Sequence, residues 1–195
     1  PVFLERIRDA GVTRVTIHAR KAWLQGLSPK QNRDVPPLDY GLVRAMKQAF
    51  PGLHISLNGG LDTLDAARAA LSPTAEGAPA LDGAMIGRAA YHRPADILMR
   101  ADSTVFGAPE DPCPDAEAAV AAMRPHLSRH LAEGGRLHAV TRHMLGLFAG
   151  RPGARGWRRV LSEGAARPGA GLDLLDAGLA EIRKAGAGPA CHAAE

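Results

Sequence analysis

Short apolar runs alternate with helical patterns along the first hundred residues. Three apolar runs each predict a buried strand: 12–19 (VTRVTIHA), 53–57 (LHISL) and 81–86. Apolar side chains at helical spacing predict four helices: 1–11, 40–50, 61–71 and one after Pro94. Asp62 is the expected N-cap of the third helix. Strand–helix units repeated in this way indicate an α/β fold with a parallel sheet and crossover helices.

The pattern becomes helical throughout after a segment rich in Asp, Pro and Gly. Helices are predicted over 115–133 with a break near Pro125, over 137–148, over 152–163 with Pro152 in the first turn, and over 171–185. This pattern divides the chain into an α/β domain at 1–100, a linker at 101–114, an all-α domain at 115–186 and a frayed tail at 187–195.

Composition excludes several classes of protein. Of 195 residues, 46% are hydrophobic and 23% are charged, which is ordinary for a globular chain. Two cysteines, Cys113 and Cys191, cannot build a disulfide framework and lack the spacing of a zinc site, so we expect no metal. No apolar run approaches the ~20 residues of a membrane span, and no secretory signal is visible. We therefore expect a cytoplasmic protein without a membrane partner.

Basic residues are concentrated towards the end of the chain. Of the 24 basic residues 20 are Arg, and residues 120–195 hold 11 basic against 6 acidic side chains. Arginine pairs with phosphate through a planar fork, so this excess favours a polyanion partner for the helical part. A genome rich in G and C would also enrich arginine, and composition alone leaves both explanations open.

Two glycine turns follow consecutive predicted strands. Asn58-Gly59-Gly60 comes after the second strand, and Gly87-Arg88 comes after the third. Glycine lets backbone amides approach a ligand closely, and an arginine can clamp a phosphate. In eight-stranded α/β barrels, the loops after the last two strands commonly bind phosphate. The pair of turns predicts a phosphate site, although each turn alone is equally typical of a simple connection.

Three further groups of residues are candidates for binding. His18 ends the first strand, where such sheets bind ligands, but a histidine there is equally typical of a packed core. The polar loop that follows carries Lys30 and Arg33. Arg155 and Arg158, with Arg151 and Arg159, fall on the helix face opposite Trp157, Val160 and Leu161. Such a basic face can follow an RNA backbone, or it can simply be solvated.

Four segments in this order resemble the tRNA-dihydrouridine synthases, most closely the DusA branch. They are 18–40 (HARKAWLQGLSPKQNRDVPPLDY), 56–60 (SLNGG), 81–94 (LDGAMIGRAAYHRP) and 141–163 (TRHMLGLFAGRPGARGWRRVLSE). The resemblance runs from residue 1 to about 186. It implies an enzyme that uses FMN and NADPH to reduce a D-loop uridine of tRNA, at positions 20 and 20a for this branch.

The resemblance also implies a fold and a set of site residues. The three strands would be the last three of a (β/α)8 TIM barrel, followed by an all-α domain that binds tRNA. The cofactor-binding residues would be His18, Asn58, Gly59, Gly60, Gly87 and Arg88. The tRNA-binding residues would be Lys30, Arg33, Arg155 and Arg158.

The family's proton donor is a cysteine on an earlier barrel strand, and neither Cys113 nor Cys191 matches it. We therefore expect no catalytic residue among these 195 residues, and neither tight FMN binding nor uridine reduction by them alone. Two alternatives stay open: an RNA-binding helical module without activity, and another flavin- or phosphate-binding barrel oxidoreductase. No oligomer is expected.

Overall fold

The computed structural model describes residues 1–23 and 25–187. They form two compact units, Pro1–Ala89 and a second from Ala90 onward. The first runs through α1 (Val2–Asp9), β1 (Arg14–His18), a 3₁₀ helix (Gln31–Arg33), α2 (Tyr40–Ala49), β2 (His54–Asn58), α3 (Leu64–Ala70), β3 (Gly83–Met85) and the start of α4 (Arg88–His92). The second continues with α5 (Pro94–Leu98), α6 (Ala101–Phe106), α7 (Ala116–Ala132), α8 (Leu137–Thr141), α9 (Ala154–Gly164) and α10 (Asp173–Gly186).

The first unit is built on a three-stranded parallel sheet of order β1-β2-β3. Its register pairs His18 with Asn58 and Asn58 with Met85. All three strands therefore end at the same edge. The α/β class, the three strands and their parallel direction are confirmed. β1 and β3 are shorter than the apolar runs that predicted them, and β2 is displaced from its run by one residue.

The central strand carries the core of the first unit. Ile55 and Leu57 of β2 are almost fully buried, as the inward positions of a strand should be. Around them pack buried side chains of the helices and connecting segments, namely Leu4, Ala19, Val43, Phe50, Leu53, Leu61, Ala70 and Leu81. Helix α2 begins cleanly because the Asp39 carboxylate accepts a hydrogen bond of 2.8 Å from the Leu42 amide.

A half-buried ion pair fastens the starting edge of the sheet. Asp82, just before β3, accepts hydrogen bonds of 2.8 Å from Lys47 Nζ and from the Ile55 amide. Burial alone would raise the pKa of Asp82, but these hydrogen bonds and the Lys47 charge lower it overall. One carboxylate thus joins α2, β2 and β3 at the edge opposite the glycine turns.

The second unit has a core centred on one tryptophan. Trp157 of α9 is fully buried, donates from Nε1 to the Met144 carbonyl at 3.0 Å, and meets the Phe148 ring at 4.9 Å between centroids. Gly178 lets helix α10 pack closely against Trp157, since a Cβ at this position would lie 2.7 Å from the indole ring. The buried Thr141 hydroxyl donates to the Leu137 carbonyl at 3.2 Å, so this polar group is hydrogen-bonded within the core.

Several predicted helix boundaries are wrong. Thr63, not Asp62, caps α3, because its hydroxyl accepts from the Ala66 amide at 3.1 Å. Helix α7 continues through Pro125. Pro125 and Ala121, whose carbonyl loses its partner there, both lie on the exposed face, where water can satisfy that carbonyl.

Two further helices differ from the pattern. Only 137–141 of the predicted 137–148 helix is helical, and turns containing Gly146 and Gly150 follow. Helix α9 starts at Ala154 with Gly153 as its N-cap, so Pro152 precedes it. Helix α6 covers the first part of the segment at 101–114, and the predicted domain limits stay predictions. The predicted tail lies outside the described residues except for Ala187.

Candidate functional site

The register of the sheet brings the two glycine turns together. Because Asn58 and Met85 are partners, the residues that follow them leave the sheet at the same edge. The Asn58 side chain strengthens this arrangement by donating from Nδ2 to the Met85 carbonyl at 2.9 Å. His18 lies at the end of β1 beside Asn58. The sequence therefore placed His18, Asn58 and the Gly87 turn correctly along one edge.

The first turn has a shape that only glycine tolerates. Gly59 and Gly60 have φ values of +104° and +70°. A Cβ on Gly59 would lie 3.2 Å from His18 Cε1, and one on Gly60 would overlap the Leu38 side chain. Tyr40 secures the turn because its hydroxyl donates to the Gly59 carbonyl at 2.8 Å. The protein itself packs one side of this turn.

Backbone donors are left over at both turns. The amides of Gly59, Gly60, Gly87 and Arg88 donate to no protein group among the residues that the structure describes. A Cβ on Gly87 would meet nothing within 4 Å, so a ligand can approach that backbone closely. Several unpaired amides at one edge suit the oxygens of a phosphate. The chemistry of this donor set fits the phosphate group that the sequence predicted.

Arg88 reaches back to the polar loop at 20–39. Its Nη1 donates to the Asp34 carboxylate at 2.6 Å, and its Nη2 lies 3.5 Å from the Arg33 carbonyl. The hydrogen bond from Arg88, together with the positive charges of Arg88, Arg20 and Lys30, lowers the pKa of Asp34. Asp34 is therefore ionised at neutral pH and orients one side of the guanidinium, while the fork keeps further N–H donors.

The surroundings of His18 favour its neutral form. Burial, and then the charges of Arg20 and Arg88, lower its pKa. Its Nδ1 accepts a hydrogen bond of 3.3 Å from the Arg20 amide, so the ring proton of the neutral form lies on Nε2. His18 therefore presents a neutral N–H donor at the edge where the glycine turns lie.

Sequence reasoning missed three residues that shape this edge. Arg20 donates to the Pro36 carbonyl and carries a buried Nε without a partner in the described chain, Tyr40 holds the Gly59 turn, and Asp34 orients Arg88. The sequence offered one clue to Asp34, which is the first acidic residue in a loop otherwise rich in cations. The other two gave none, since their partners lie 16 and 19 residues away.

Lys30 and Arg33 are exposed on an ordered loop. Asn32 organises it by accepting from the Trp23 amide at 2.8 Å and donating to the Trp23 carbonyl at 2.9 Å. Within residues 1–23 and 25–187, neither cationic side chain forms an ion pair. The loop can therefore present both positive charges to an external anion.

The basic face of α9 is smaller than predicted. Arg155 and Arg158 are exposed and have no carboxylate partner in the described chain. Arg159 instead pairs with Glu181 of α10 at 3.4 Å, and Arg151 precedes the helix. The sequence missed Glu181 because it lies 22 residues from Arg159. Trp157 and Leu161 are buried as expected, and Val160 is partly buried.

Other kinds of site find no support in the described residues. No group of three His, Cys, Asp or Glu side chains is arranged to hold a metal ion there. Cys113 is a free thiol that donates to the Asp115 carbonyl at 3.3 Å, and Cys191 lies outside the described residues. None of the described helices has the length and apolar character needed to span a bilayer.

Comparison with known proteins shows the family of this chain. The dihydrouridine synthase (Dus) family matches residues 2–183. The chain belongs to this family. Among curated relatives, a tRNA-dihydrouridine(20/20a) synthase of Shewanella oneidensis is 46% identical over 173 residues, which cover 89% of this chain and 49% of the relative.

Two further relatives carry the same name. The Escherichia coli (strain K12) protein is 50% identical over 160 residues, covering 82% of this chain and 44% of that relative. The Salmonella typhimurium protein is 49% identical over 178 residues, covering 91% and 51%. The chain thus spans about half the length of the curated relatives it matches. Membership of the Dus family confirms the resemblance seen in the sequence.

Proposed function

We propose that this chain forms the phosphate-binding edge and the RNA-binding helical unit of a tRNA-dihydrouridine synthase. The enzyme would reduce D-loop uridines 20 and 20a of tRNA with FMN and NADPH. The observation that carries the proposal is the set of unpaired amides at one strand-end edge, flanked by Arg88 and His18, in a chain of the Dus family. The β1, β2 and β3 strands would be the last three of the eight-stranded barrel.

The chain's own residues would hold the cofactor by its phosphate. The amides of Gly59, Gly60, Gly87 and Arg88 would donate to the phosphate oxygens, and the Arg88 guanidinium would balance their charge. Asp34 would keep Arg88 oriented at the edge. The neutral His18 ring would donate from Nε2 to an acceptor of the cofactor without adding a second positive charge. When bound, a reduced flavin supplies the hydride for the uracil ring.

The RNA would be held by cations on two surfaces. Lys30 and Arg33 on the ordered loop, and Arg155 and Arg158 on α9, would contact phosphates and fix the position of the tRNA rather than read its sequence. The target uridine must leave its stack to be reduced. Neither Cys113 nor Cys191 is assigned the proton transfer to the uracil ring, so that acid would come from outside these 195 residues.

A chimera tests the proposal. These 195 residues are joined to the half of the Escherichia coli relative that they do not match, in a strain lacking that relative. We expect dihydrouridine at positions 20 and 20a of the strain's tRNA, measured by mass spectrometry. An Arg88→Ala chimera should bind less flavin, while an Arg68→Ala chimera, altered at an exposed position on α3, should match the parent.

The opposite outcome is equally clear. A soluble chimera that binds tRNA but never carries flavin or forms dihydrouridine would contradict the enzyme and favour an RNA-binding module. A chimera that carries flavin but leaves tRNA unmodified would favour a different flavin-dependent barrel enzyme.

A further inference from the structure

Four exposed side chains form an aromatic and basic surface in the second unit. Tyr91, His92, Arg142 and His143 make it up, and it is called the Tyr91 surface below. Tyr91 is 53% exposed, and the sequence analysis assigned it no role.

Two backbone segments pack closely beneath this surface. A Cβ at Gly146 would overlap the His92 carbonyl and lie 3.1 Å from the Tyr91 carbonyl. The segment that carries Arg142 and His143 is therefore packed against the backbone that carries Tyr91.

The hydrogen bonds of His143 fix its protons. Arg142 Nε donates to His143 Nε2 at 3.0 Å, and an arginine can only donate. The proton of the neutral ring is therefore on Nδ1, which lies 2.9 Å from the Tyr91 hydroxyl oxygen and donates to it. The phenol keeps its own proton for a further acceptor, so Tyr91 combines an aromatic face with an outward donor.

The faces of the Tyr91 ring are not covered by parallel stacking. The rings of His92 and His143 lie 5.5 and 5.8 Å away at interplanar angles of 77° and 71°. No carboxylate contacts Tyr91, Arg142 or His143 in the part of the chain that is described, and Asp96, close by in sequence, is paired with Arg93 at 3.7 Å. The surface combines a half-exposed aromatic ring with a setting that attracts anions.

We propose that the Tyr91 surface binds an unstacked RNA base on the Tyr91 ring and its neighbouring phosphate on Arg142. Aromatic residues beside arginine bind single-stranded RNA in this way, since every base has a π face and every nucleotide a phosphate. Tyrosine and arginine are also common at protein interfaces, and a loss of Tyr91 that leaves transcript binding unchanged would favour such a partner. The inference rests on the proposed tRNA partner and adds a contact that Arg155 and Arg158 do not provide.

The test measures binding of this chain to an unmodified tRNA transcript by fluorescence anisotropy. Tyr91→Ala should weaken binding about tenfold, as expected for the loss of one stacked base. Tyr91→Leu keeps an apolar side chain of comparable bulk and should weaken binding to a similar extent, whereas Tyr91→Phe should retain most of it. Phe106→Ala is the matched control, because Phe106 is an aromatic residue that is 78% exposed in the same unit.

Two readouts separate stacking from charge and from misfolding. The Tyr91 variants should leave the salt dependence of binding unchanged, while Arg142→Ala should lower its slope by about one phosphate contact. Inorganic polyphosphate, which has charge but no bases, should displace the transcript with the same inhibition constant for the wild type and for Tyr91→Leu. Circular dichroism tests whether each variant is folded. If Tyr91→Ala does not fold, the comparison of Tyr91→Leu with Tyr91→Phe tests the stacking.

Each outcome bears on a different claim. If the chain binds the transcript and both folded Tyr91 variants bind as well as Phe106→Ala, the stacking surface is wrong and the tRNA partner stands. If Tyr91→Phe loses as much as Tyr91→Leu, the hydroxyl rather than the ring is responsible, and stacking is again wrong. If the wild-type chain does not bind the transcript, both this inference and the proposed RNA-binding role fail.

Discussion

The two units of this chain bury their apolar residues very differently. In the second unit, Trp157 and Phe148 are enclosed between helices. In the first, α1 buries only Leu4, and among the described residues β2 is the only strand that pairs with β1. An open groove of about 620 Å³ lies there, lined by apolar side chains of α1, β1 and α2. The flavin edge is thus proposed on the unit with the more exposed core, and the basic helix on the unit with the enclosed one.

This contrast separates stability from binding. An enclosed core can support an exposed basic helix without help, because Arg155 and Arg158 only need a rigid base beneath them. The glycine turns instead depend on strand register, which in the first unit rests on one well-buried strand, β2. The effects of substitutions in the two units should therefore differ in size and in the property that changes.

The largest effect is expected from Trp157. Trp157→Ala should reduce the free energy of unfolding by about 3–5 kcal/mol, because it empties a fully buried site and removes the indole hydrogen bond to the Met144 carbonyl. Ile17→Ala, on the less covered strand β1, should cost less than about 1.5 kcal/mol. Urea unfolding followed by circular dichroism measures both. Equal losses would contradict the contrast between the two units.

The next largest effect is expected from Asp82 and its two partners, Lys47 and the Ile55 amide, which are called the Asp82 clamp below. Asp82→Ala should destabilise the protein by about 2 kcal/mol, because Lys47 and the Ile55 amide both lose a charged acceptor. Asp65→Ala is the control, since Asp65 is exposed and lies 3.9 Å from Arg68. If both variants unfold at the same urea concentration, the clamp contributes nothing to the sheet.

The same clamp predicts a dependence on pH. The folded-state pKa of Asp82 lies below its ordinary value of 3.8, so its stabilising contribution is complete above that value. The contribution should disappear as the pH falls through the folded-state pKa. The difference in unfolding free energy between the wild type and Asp82→Asn should therefore shrink on acidification below about pH 4. A difference that grows with acid would reverse the assigned sign.

A smaller effect is expected on RNA binding. Arg155→Ala combined with Arg158→Ala should weaken tRNA binding by about tenfold and lower the salt slope by about two. Arg159→Ala should change binding less, because Arg159 already pairs with Glu181. Anisotropy titrations at several salt concentrations give both quantities. An Arg159 effect as large as that of the double variant would mean that the exposed pair is not the contact.

The smallest effect is expected at Asp34. Asp34→Asn should leave the unfolding midpoint unchanged, because its ion pair with Arg88 is exposed to solvent. It should speed hydrogen exchange of the amides at residues 31–35, since the loop loses its link to the sheet edge. Unchanged exchange would show that Arg88 does not order this loop.

The sequence could predict the features that follow from local patterns. Alternating apolar runs located the strands, and parallel strands must end at one edge, so the convergence of His18, Asn58 and Gly87 followed without coordinates. Pairings between distant segments could not be predicted. Asp34 with Arg88 and Arg159 with Glu181 join residues 54 and 22 positions apart, and no local spacing encodes them.

The limits of some helices were predicted wrongly for a related reason. Thr63 and Asp62 are both good N-cap residues, and only the path of the backbone selects Thr63. Pro125 predicts a break in α7, but its position on the exposed face lets the helix continue. These choices depend on which side of an element faces solvent, which the sequence pattern gives only approximately.

The central claim is that the two glycine turns share one phosphate, and amide chemical shifts test it most directly. The ¹⁵N-labelled chain is titrated with FMN and, separately, with riboflavin, which lacks the phosphate. FMN should shift the amide resonances of Gly59, Gly60, Gly87 and Arg88 together, even where binding is weak, and riboflavin should not. Equal shifts with both compounds, or FMN shifts confined to one turn, would contradict the account.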